Sequence, residues 1–416
     1  MRRVAMLSVH TCPMAALGGK ETGGMNVYVR ELSRELGAQG LIVDIYTRSQ
    51  DPSRERLREL WPNVRVIHLP AGPEEPYNKD LVYDHLPQFV AGLQEFSAGE
   101  GISYDLVHSH YWLSGWVARE LTREHALPTI HMFHTLGRMK NLVARNEQEK
   151  EATTRIRVED ELMRDMDRIV AATPLDRAQM VDLYDADPHK IVVIPLGVDL
   201  SMFRPIPREQ AMAAVGIDLP ESYRLVLFVG RLDPVKGLDT LLRAMCKLTD
   251  LEPELSKRLC LAVIGGDVDE NGGDLSEELE CLDKLKDEVG IQDLVVFLGS
   301  RAQDTLPYYY SAAEVCIVPS HYESFGLVAL EAMACATPVI ASRVGGLQHT
   351  VEDGVTGFLV PAGDPDALAD KLRLILFDRD LRERLATNAR HKAQGYTWQL
   401  VAEHILDLYE ELWQRR

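Results

Sequence analysis

Ala313-Glu-Val-Cys-Ile-Val-Pro-Ser-His-Tyr-Glu-Ser-Phe-Gly-Leu-Val-Ala-Leu-Glu331 changes character halfway along its length. Ala313 to Pro319 is a short apolar run of the kind that forms a buried strand. Helix formers follow from Leu327 to Ala336, which makes Ser324 to Gly326 the expected helix N-terminus. Backbone N–H groups left free at such a junction point toward an anion such as a ligand phosphate. Glu323 stands before the helix and Glu331 about two turns into it. One carboxylate is placed to face a sugar hydroxyl and the other a second hydroxyl-rich group such as ribose, and neither needs to act as an acid or base. A lone pair of glutamates at this spacing is more often a polar turn residue and a solvated helix residue. The remainder of the chain decides between the two.

Working outward, the strand–turn–helix unit repeats. Val4–Val9, Ile42–Tyr46, Val64–His68, Leu106–Ser109, Thr129–Met132 and Ile169–Ala172 are strand-like, with a helix expected from about Asn26 to Gln39 between the first two. A segment rich in Pro and Gly, Ile194 to Pro207, interrupts the series. It starts again at Leu225–Arg231, Cys260–Gly265, Val295–Leu298, Val315–Val318, Pro338–Ala341 and Gly357–Val360. Alternation of this kind indicates parallel sheets with crossover helices. The expected domains are residues 1–200 and 201–396, with a helix over 397–416. The apolar stripe of that helix (Leu400, Val401, Ile405, Leu408, Tyr409, Leu412) suits packing back on the first domain.

A length of 416 residues suits two such domains. The net charge of −19 with 46% hydrophobic residues describes an acidic globular protein and argues against a nucleic-acid footprint. Any anionic ligand must therefore be met by a few local cations. Six scattered cysteines without C-x-x-C spacing read as reduced thiols in a cytoplasmic protein. The N-terminus runs straight into a strand without a signal-peptide pattern, and no run reaches the ~18 apolar residues of a membrane span.

Several constellations could carry chemistry. Gly18-Gly-Lys-Glu-Thr-Gly-Gly-Met-Asn26 leads into the first helix, and Gly23 and Gly24 permit close backbone approach of a ligand. Read alone, it is a turn, and it is neither a dinucleotide fingerprint nor a Walker loop. Phe228-Val-Gly-Arg-Leu-Asp-Pro-Val-Lys-Gly237 ends a strand with two cations, Arg231 and Lys236, suited to stabilise a departing diphosphate. Either alone would pass for a surface cation. Tyr104 to Gly115 and His131 to Lys140 put Tyr111, His134, Thr135 and Lys140 at the carboxyl ends of adjacent strands, where open parallel sheets bind ligands. The four histidines there, His108, His110, His131 and His134, read as satisfied strand-end residues before a metal site. Asp267 to Glu278 matches a calcium-loop pattern, but it follows a strand instead of a helix and reads as an acidic loop.

These residues together resemble the retaining glycosyltransferases of family 4. The matching strings are Ser8-Val-His-Thr, Gly23-Gly-Met-Asn-Val-Tyr, His108-Ser-His-Tyr-Trp-Leu-Ser-Gly, His134-Thr-Leu, Val229-Gly-Arg, Lys236-Gly and Glu323-Ser-Phe-Gly-Leu-Val-Ala. The resemblance covers nearly the whole chain and implies the GT-B fold, two Rossmann-like α/β domains facing a cleft. It is nearest to the subgroup that acts on 1D-myo-inositol 3-phosphate, with UDP-GlcNAc or UDP-glucose as donor. Carried over, it implies a donor site of His10, Gly24, Arg231, Lys236, Arg301 through its backbone, Glu323, Phe325, Gly326, Leu327 and Glu331. It implies an acceptor site of Asn26, Lys79, Tyr111, Thr135 and Arg155, with His134, Arg231, Lys236 and Glu323 in catalytic roles. No cofactor is needed for the chemistry. A structural Mg²⁺ at backbone groups near Tyr310, Ser311, Ala313 and Thr337 is also implied. The expected partners are the UDP-sugar and a phosphorylated small molecule, with a second copy of the chain as a further candidate.

The sequence departs from the subgroup at His134-Thr-Leu-Gly-Arg-Met-Lys140, which resembles the H-S-L-G-R-x-K string of sucrose-phosphate synthases. Transfer of glucose to fructose 6-phosphate therefore stays open beside inositol 3-phosphate. A non-catalytic sugar-nucleotide-binding protein is the alternative of another class. It would be expected to have lost Arg231, Lys236 or Glu323, and all three are present.

Overall fold

The computed structural model describes residues 1–15, 22–124, 126–266 and 277–415. Gly18 to Glu21 and most of the acidic Asp267 stretch lie outside the described residues. The chain divides into two compact units, one of Met1–Ala15, Gly24–Leu196 and Trp398–Arg416, the other of Ala16–Gly23 and Gly197–Thr397.

The first unit carries strands β1 (Arg3–Leu7), β2 (Ile42–Arg48), β3 (Leu57–Trp61), β4 (Val64–Leu69), β5 (Leu106–His110), β6 (Thr129–Met132), β7 (Arg168–Ala171) and β8 (Ile191–Val193). They form one sheet in the order β3-β4-β2-β1-β5-β6-β7-β8. All neighbours are parallel except β3, which pairs antiparallel with β4 at the edge. Helices on both faces bury the central strands, which explains why β1 and β5 read as near-continuous buried runs. The sequence pattern missed β3 because half-exposed Leu-Arg-Glu-Leu-Trp has no apolar run, and β8 because it has three residues.

Strands β9 (Arg224–Val229), β10 (Leu259–Ile264), β11 (Val295–Gly299), β12 (Val315–Val318), β13 (Val339–Ser342) and β14 (Gly357–Val360) form an all-parallel sheet in the second unit, ordered β11-β10-β9-β12-β13-β14. Both sheets are thus Rossmann-like α/β layers. In each, the strand order reverses at one place, between β1 and β5 in the first and between β9 and β12 in the second. Such sheets bind ligands at the carboxyl ends of the strands flanking this reversal.

The last helix, Trp398–Gln414, belongs to the first unit and packs on the helix Gly24–Ala38. Trp398 meets the Tyr28 ring edge-on, Tyr409 OH pairs with His108 Nδ1 at 2.8 Å, and Trp413 Nε1 donates to the Asp105 carbonyl at 3.1 Å.

Candidate active site

The loops after β9 and β12 are joined to each other. His321 N donates to the Val235 carbonyl at 2.7 Å, and Lys236 Nζ pairs with Glu323 Oε2 at 2.6 Å. Each of these two side chains is about one-fifth exposed, so the pair is open to a ligand. Arg231 Nη2 lies 3.7 Å from Asp233, whose carboxylate also accepts from Val235 N and shapes the turn. Gly237 sits at φ 67°, and a Cβ there would lie 2.1 Å from the Pro319 carbonyl oxygen, so glycine lets the two loops touch.

Gly345 and Gly346 hold Glu323 from behind. Gly346 N donates to the Glu323 carbonyl at 2.9 Å, and a Cβ on Gly345 would fall 1.8 Å from that same oxygen. The following helix spans Leu327–Ala334, two residues shorter than expected, because Ala336 turns into the left-handed region at φ 59°. Gly326 is its N-cap at φ 90°, with Leu327 the first helical residue and Phe325 buried against the Tyr396 ring.

Glu331 sits one turn into this helix, not two, and is buried, unlike a solvated helix residue. It accepts from Tyr310 OH at 2.9 Å and from Gln303 Nε2 at 3.3 Å. Arg301 follows β11, its side chain bonded to Tyr309 OH and the Ser300 carbonyl.

Around the Tyr310 carbonyl the bonds are already made, from Thr337 Oγ1 at 2.7 Å and Ala313 N at 3.1 Å, while Ser311 Oγ accepts from Ile206 N. Among the described residues there is no group of three or more His, Cys, Asp or Glu that could hold a metal ion. A cation at this carbonyl would have to displace bonds already present, so these groups fit one poorly. No step below depends on it.

In the first unit, the reversal point between β1 and β5 carries His10 and Tyr111. Their ring centroids lie 4.4 Å apart with the planes tilted by 40°, and Val9 N donates to Ser114 Oγ at 3.0 Å, tying the end of β1 to the helix Tyr111–Glu124 that follows β5. Tyr111 and, after β6, His134 adopt φ of 72° and 61°. Left-handed backbone at bulky non-glycine residues is strained, and such strain concentrates at functional sites.

Arg155, from the helix Thr153–Asp165, is the hub of a buried cluster. Its Nε donates to Glu159 at 2.7 Å. Nη1 donates to Tyr111 OH at 3.0 Å and lies 3.0 Å from Glu151 Oε2, while Nη2 donates to the Thr135 carbonyl and hydroxyl at 2.8 and 3.0 Å. Tyr111, Glu159 and Glu151 keep the guanidinium charged despite its burial. Lys140 pairs with Glu151 on its other side. Burial would raise the Glu151 carboxyl, but Arg155 and Lys140, with Lys79 adding to them, hold it down at about 2. The structure therefore gathers Tyr111, Thr135 and Arg155 in direct contact, with Lys79 close enough to act on both Glu151 and His10.

Asn26 stands apart in role. Its Nδ2 is spent on Thr11 Oγ1 at 2.9 Å and the Cys12 carbonyl at 2.8 Å, bracing the loop after β1. Gly24 opens the first helix, and beside Gly23 a Cβ would meet nothing within 4 Å, which leaves room for close approach to the backbone.

The histidines form a buried chain. His110 Nδ1 meets His134 Nε2 at 3.1 Å, and His131 Nδ1 meets Ser109 Oγ at 2.8 Å. Burial drives the pKa of His10, His108 and His134 down to about 3, with neighbouring charges adding to this for His10 and His108, so all three are neutral near pH 7. A neutral His134 is a hydrogen-bonding group for a hydroxyl, not an acid.

Sequence reasoning missed Glu151, Glu159 and Asp233. The signal was present: Glu151, Arg155 and Glu159 follow i, i+4 spacing, but acidic residues in and just before a charged helix read as solvated.

Comparisons with known proteins identify the family. Residues 214–392 match the family model of the glycosyl transferases group 1, and residues 23–197 match the glycosyl transferase 4-like domain. A D-inositol 3-phosphate glycosyltransferase from Saccharomonospora viridis is 41% identical over 414 residues, covering 99% of this chain and 94% of that protein. The chain belongs to this glycosyltransferase family. The enzyme is also 42% identical to a D-inositol 3-phosphate glycosyltransferase from Frankia alni, over 96% of this chain and 97% of that one. Among solved structures, a sucrose-phosphate synthase from Thermosynechococcus elongatus superposes with a TM-score of 0.91 at 37% identity, each chain covered in full. HepE from Anabaena, solved with UDP and glucose, shares the GT-B fold at 19% identity, TM-score 0.76, over 99% of this chain and all of that one.

Proposed function

We propose that the enzyme moves GlcNAc or glucose, with retention of configuration, from a UDP-sugar to a phosphorylated polyol, 1D-myo-inositol 3-phosphate first among the candidates. The observation that carries this reading is the cluster of Lys140 and Arg155 with Tyr111 and Thr135, in the field of Lys79. Cations and hydroxyl donors converging at a strand-reversal point suit one phosphate group. The 41% and 42% identities to D-inositol 3-phosphate glycosyltransferases support inositol as its carrier.

On the donor side, Arg231 and Lys236 neutralise the diphosphate as it leaves, and a cation there acts most where charge develops in the transition state. Glu323 takes a sugar hydroxyl and Glu331 the ribose. His134, neutral, accepts or donates a hydrogen bond at a reacting hydroxyl. The departing phosphate receives the acceptor's proton, so no side chain serves as nucleophile. Its six unpaired cysteines suit the reducing cytoplasm.

A second reading, glucose transfer to fructose 6-phosphate, is favoured by the 37% identity to a sucrose-phosphate synthase and by the segment Gly137-Arg-Met-Lys140. Part of that segment has a local explanation. Gly137 N donates to both Glu159 oxygens, and a Cβ there would lie 2.7 Å from Ile156 Cδ1. Arg138 grips Asp160 with one nitrogen at 2.8 and 2.7 Å and lies over the Tyr184 ring. Lys140 alone of the segment's cations meets Glu151. UDP release from UDP-GlcNAc and UDP-glucose, with inositol 3-phosphate and fructose 6-phosphate in turn, separates the readings. Turnover with inositol 3-phosphate is expected, and turnover confined to fructose 6-phosphate would select the second.

A further inference from the structure

Every nitrogen of the Arg155 guanidinium is engaged by protein, so a phosphate reaches it only by taking the place of a partner. The partners differ in how firmly they are held. Glu159 is fully buried and accepts also from Gly137 N and Tyr184 OH. Thr135 contributes main chain, and Tyr111 is locked in the core beside His10. Glu151 is different. Its side chain is mostly buried, but it precedes the helix Thr153–Asp165 instead of being fixed within it, and its carboxylate bridges Lys140 and Arg155, one oxygen to each. That is how a phosphate would sit.

Charge points the same way. Lys79, Lys140 and Arg155 outnumber Glu151 and Glu159 by one. Phosphate monoesters carry about −1.5 to −2 near pH 7. Adding one while Glu151 stays would leave the cluster negative, whereas with Glu151 turned out the charges nearly balance.

We infer that Glu151 is an internal competitor for the acceptor's phosphate: it occupies the anion position between Lys140 and Arg155 and sets how strongly a phosphate must bind to be accepted. This rests on the phosphorylated-acceptor reading above. Glu151 acts on the acceptor only through these two cations and is a specificity-determining residue, not a catalytic one. An anion that binds weakly fails to displace the carboxylate, and a neutral polyol gains nothing from displacing it.

The test is calorimetric titration of the full-length enzyme with inorganic phosphate, for the wild type, Glu151→Gln and Glu151→Asp, beside KM for inositol 3-phosphate and fructose 6-phosphate. Glu151→Gln removes the charge at constant shape, and Glu151→Asp withdraws the carboxylate from both cations. Both variants are expected to bind phosphate roughly tenfold more tightly, the size expected when one competing charge leaves a partly buried site. KM for the acceptor that turns over should fall in step while kcat changes little. Glu147→Gln, an exposed neighbour paired with Lys150, should leave both quantities unchanged. Folded variants with unchanged or weaker phosphate binding would overturn the inference, because Glu151 would then be supporting the cations instead of competing for them. A wild type that binds neither phosphate nor either sugar phosphate would remove the acceptor reading, and this inference with it.

Discussion

Lys236 and Arg155 are both cations facing carboxylates, yet their burial gives them different mutational signatures. Lys236 is part-exposed and pairs with one carboxylate, so Lys236→Ala should fold normally. It should lower kcat about 10²-fold, since its interaction grows as the diphosphate departs. Wild-type turnover at saturating donor would remove that role. Arg155 lies in the core against Glu151 and Glu159, and Arg155→Ala would leave Glu159 buried without its cation. A loss of about 3–5 kcal/mol of stability is expected beside the loss of acceptor binding. Tyr111→Phe is the cleaner probe of the acceptor site: it removes one hydroxyl and should raise acceptor KM while leaving the Kd for UDP-sugar unchanged.

At the scale of elements, the loops at the two strand reversals are where side chains and backbone are most constrained. Gly345→Ala would drive a Cβ into the Glu323 carbonyl and move that carboxylate, so donor KM should rise although the substitution touches no reacting atom. Unchanged donor kinetics in a folded Gly345→Ala enzyme would show that the loop has slack. The buried histidines of the first unit set a pH limit. Above about pH 6.5 they are neutral in folded and unfolded chains alike and contribute nothing to the pH dependence. Below it the unfolded chain takes up protons that His10, His108 and His134 resist until about pH 3, so stability falls as pH drops through this window. At pH 5 the loss is on the order of 2 kcal/mol per histidine. Urea midpoints at pH 7.5, 6 and 5 should decline steeply across the last two, and a flat profile would mean that the rings find protons or solvent when folded.

Legibility in the sequence followed burial. Parallel strands buried on both faces appear as apolar runs, so most of β1, β5, β9 and β12 could be read directly, while the sheet order that makes their ends the reversal points could not. The edge strand β3 could not, because its charged, half-exposed residues have no such run. Lys236 and Glu323 were legible because each sits in the loop after an apolar strand, with Gly237 and Gly326 following within three residues. Glu151 and Glu159 were not, since nothing local distinguishes a carboxylate that will neutralise a buried arginine from one that will face water.

For the whole molecule, the last helix is an integral part of the first unit. Removing residues 398–416 deletes Trp398 from Tyr28, Tyr409 from His108 and Trp413 from Asp105. The truncated chain should lose melting temperature and acceptor binding together, because the histidine chain beside His134 would lose the Tyr409 hydroxyl. The central claim, transfer from a UDP-sugar to a phosphate-bearing polyol, is tested most directly by UDP release from UDP-GlcNAc or UDP-glucose with inositol 3-phosphate against unphosphorylated inositol. The account predicts turnover with the phosphorylated acceptor and at least 30-fold lower kcat/KM without the phosphate, the size of ~2 kcal/mol of lost charge-assisted contacts. Equal rates with the two acceptors would contradict it.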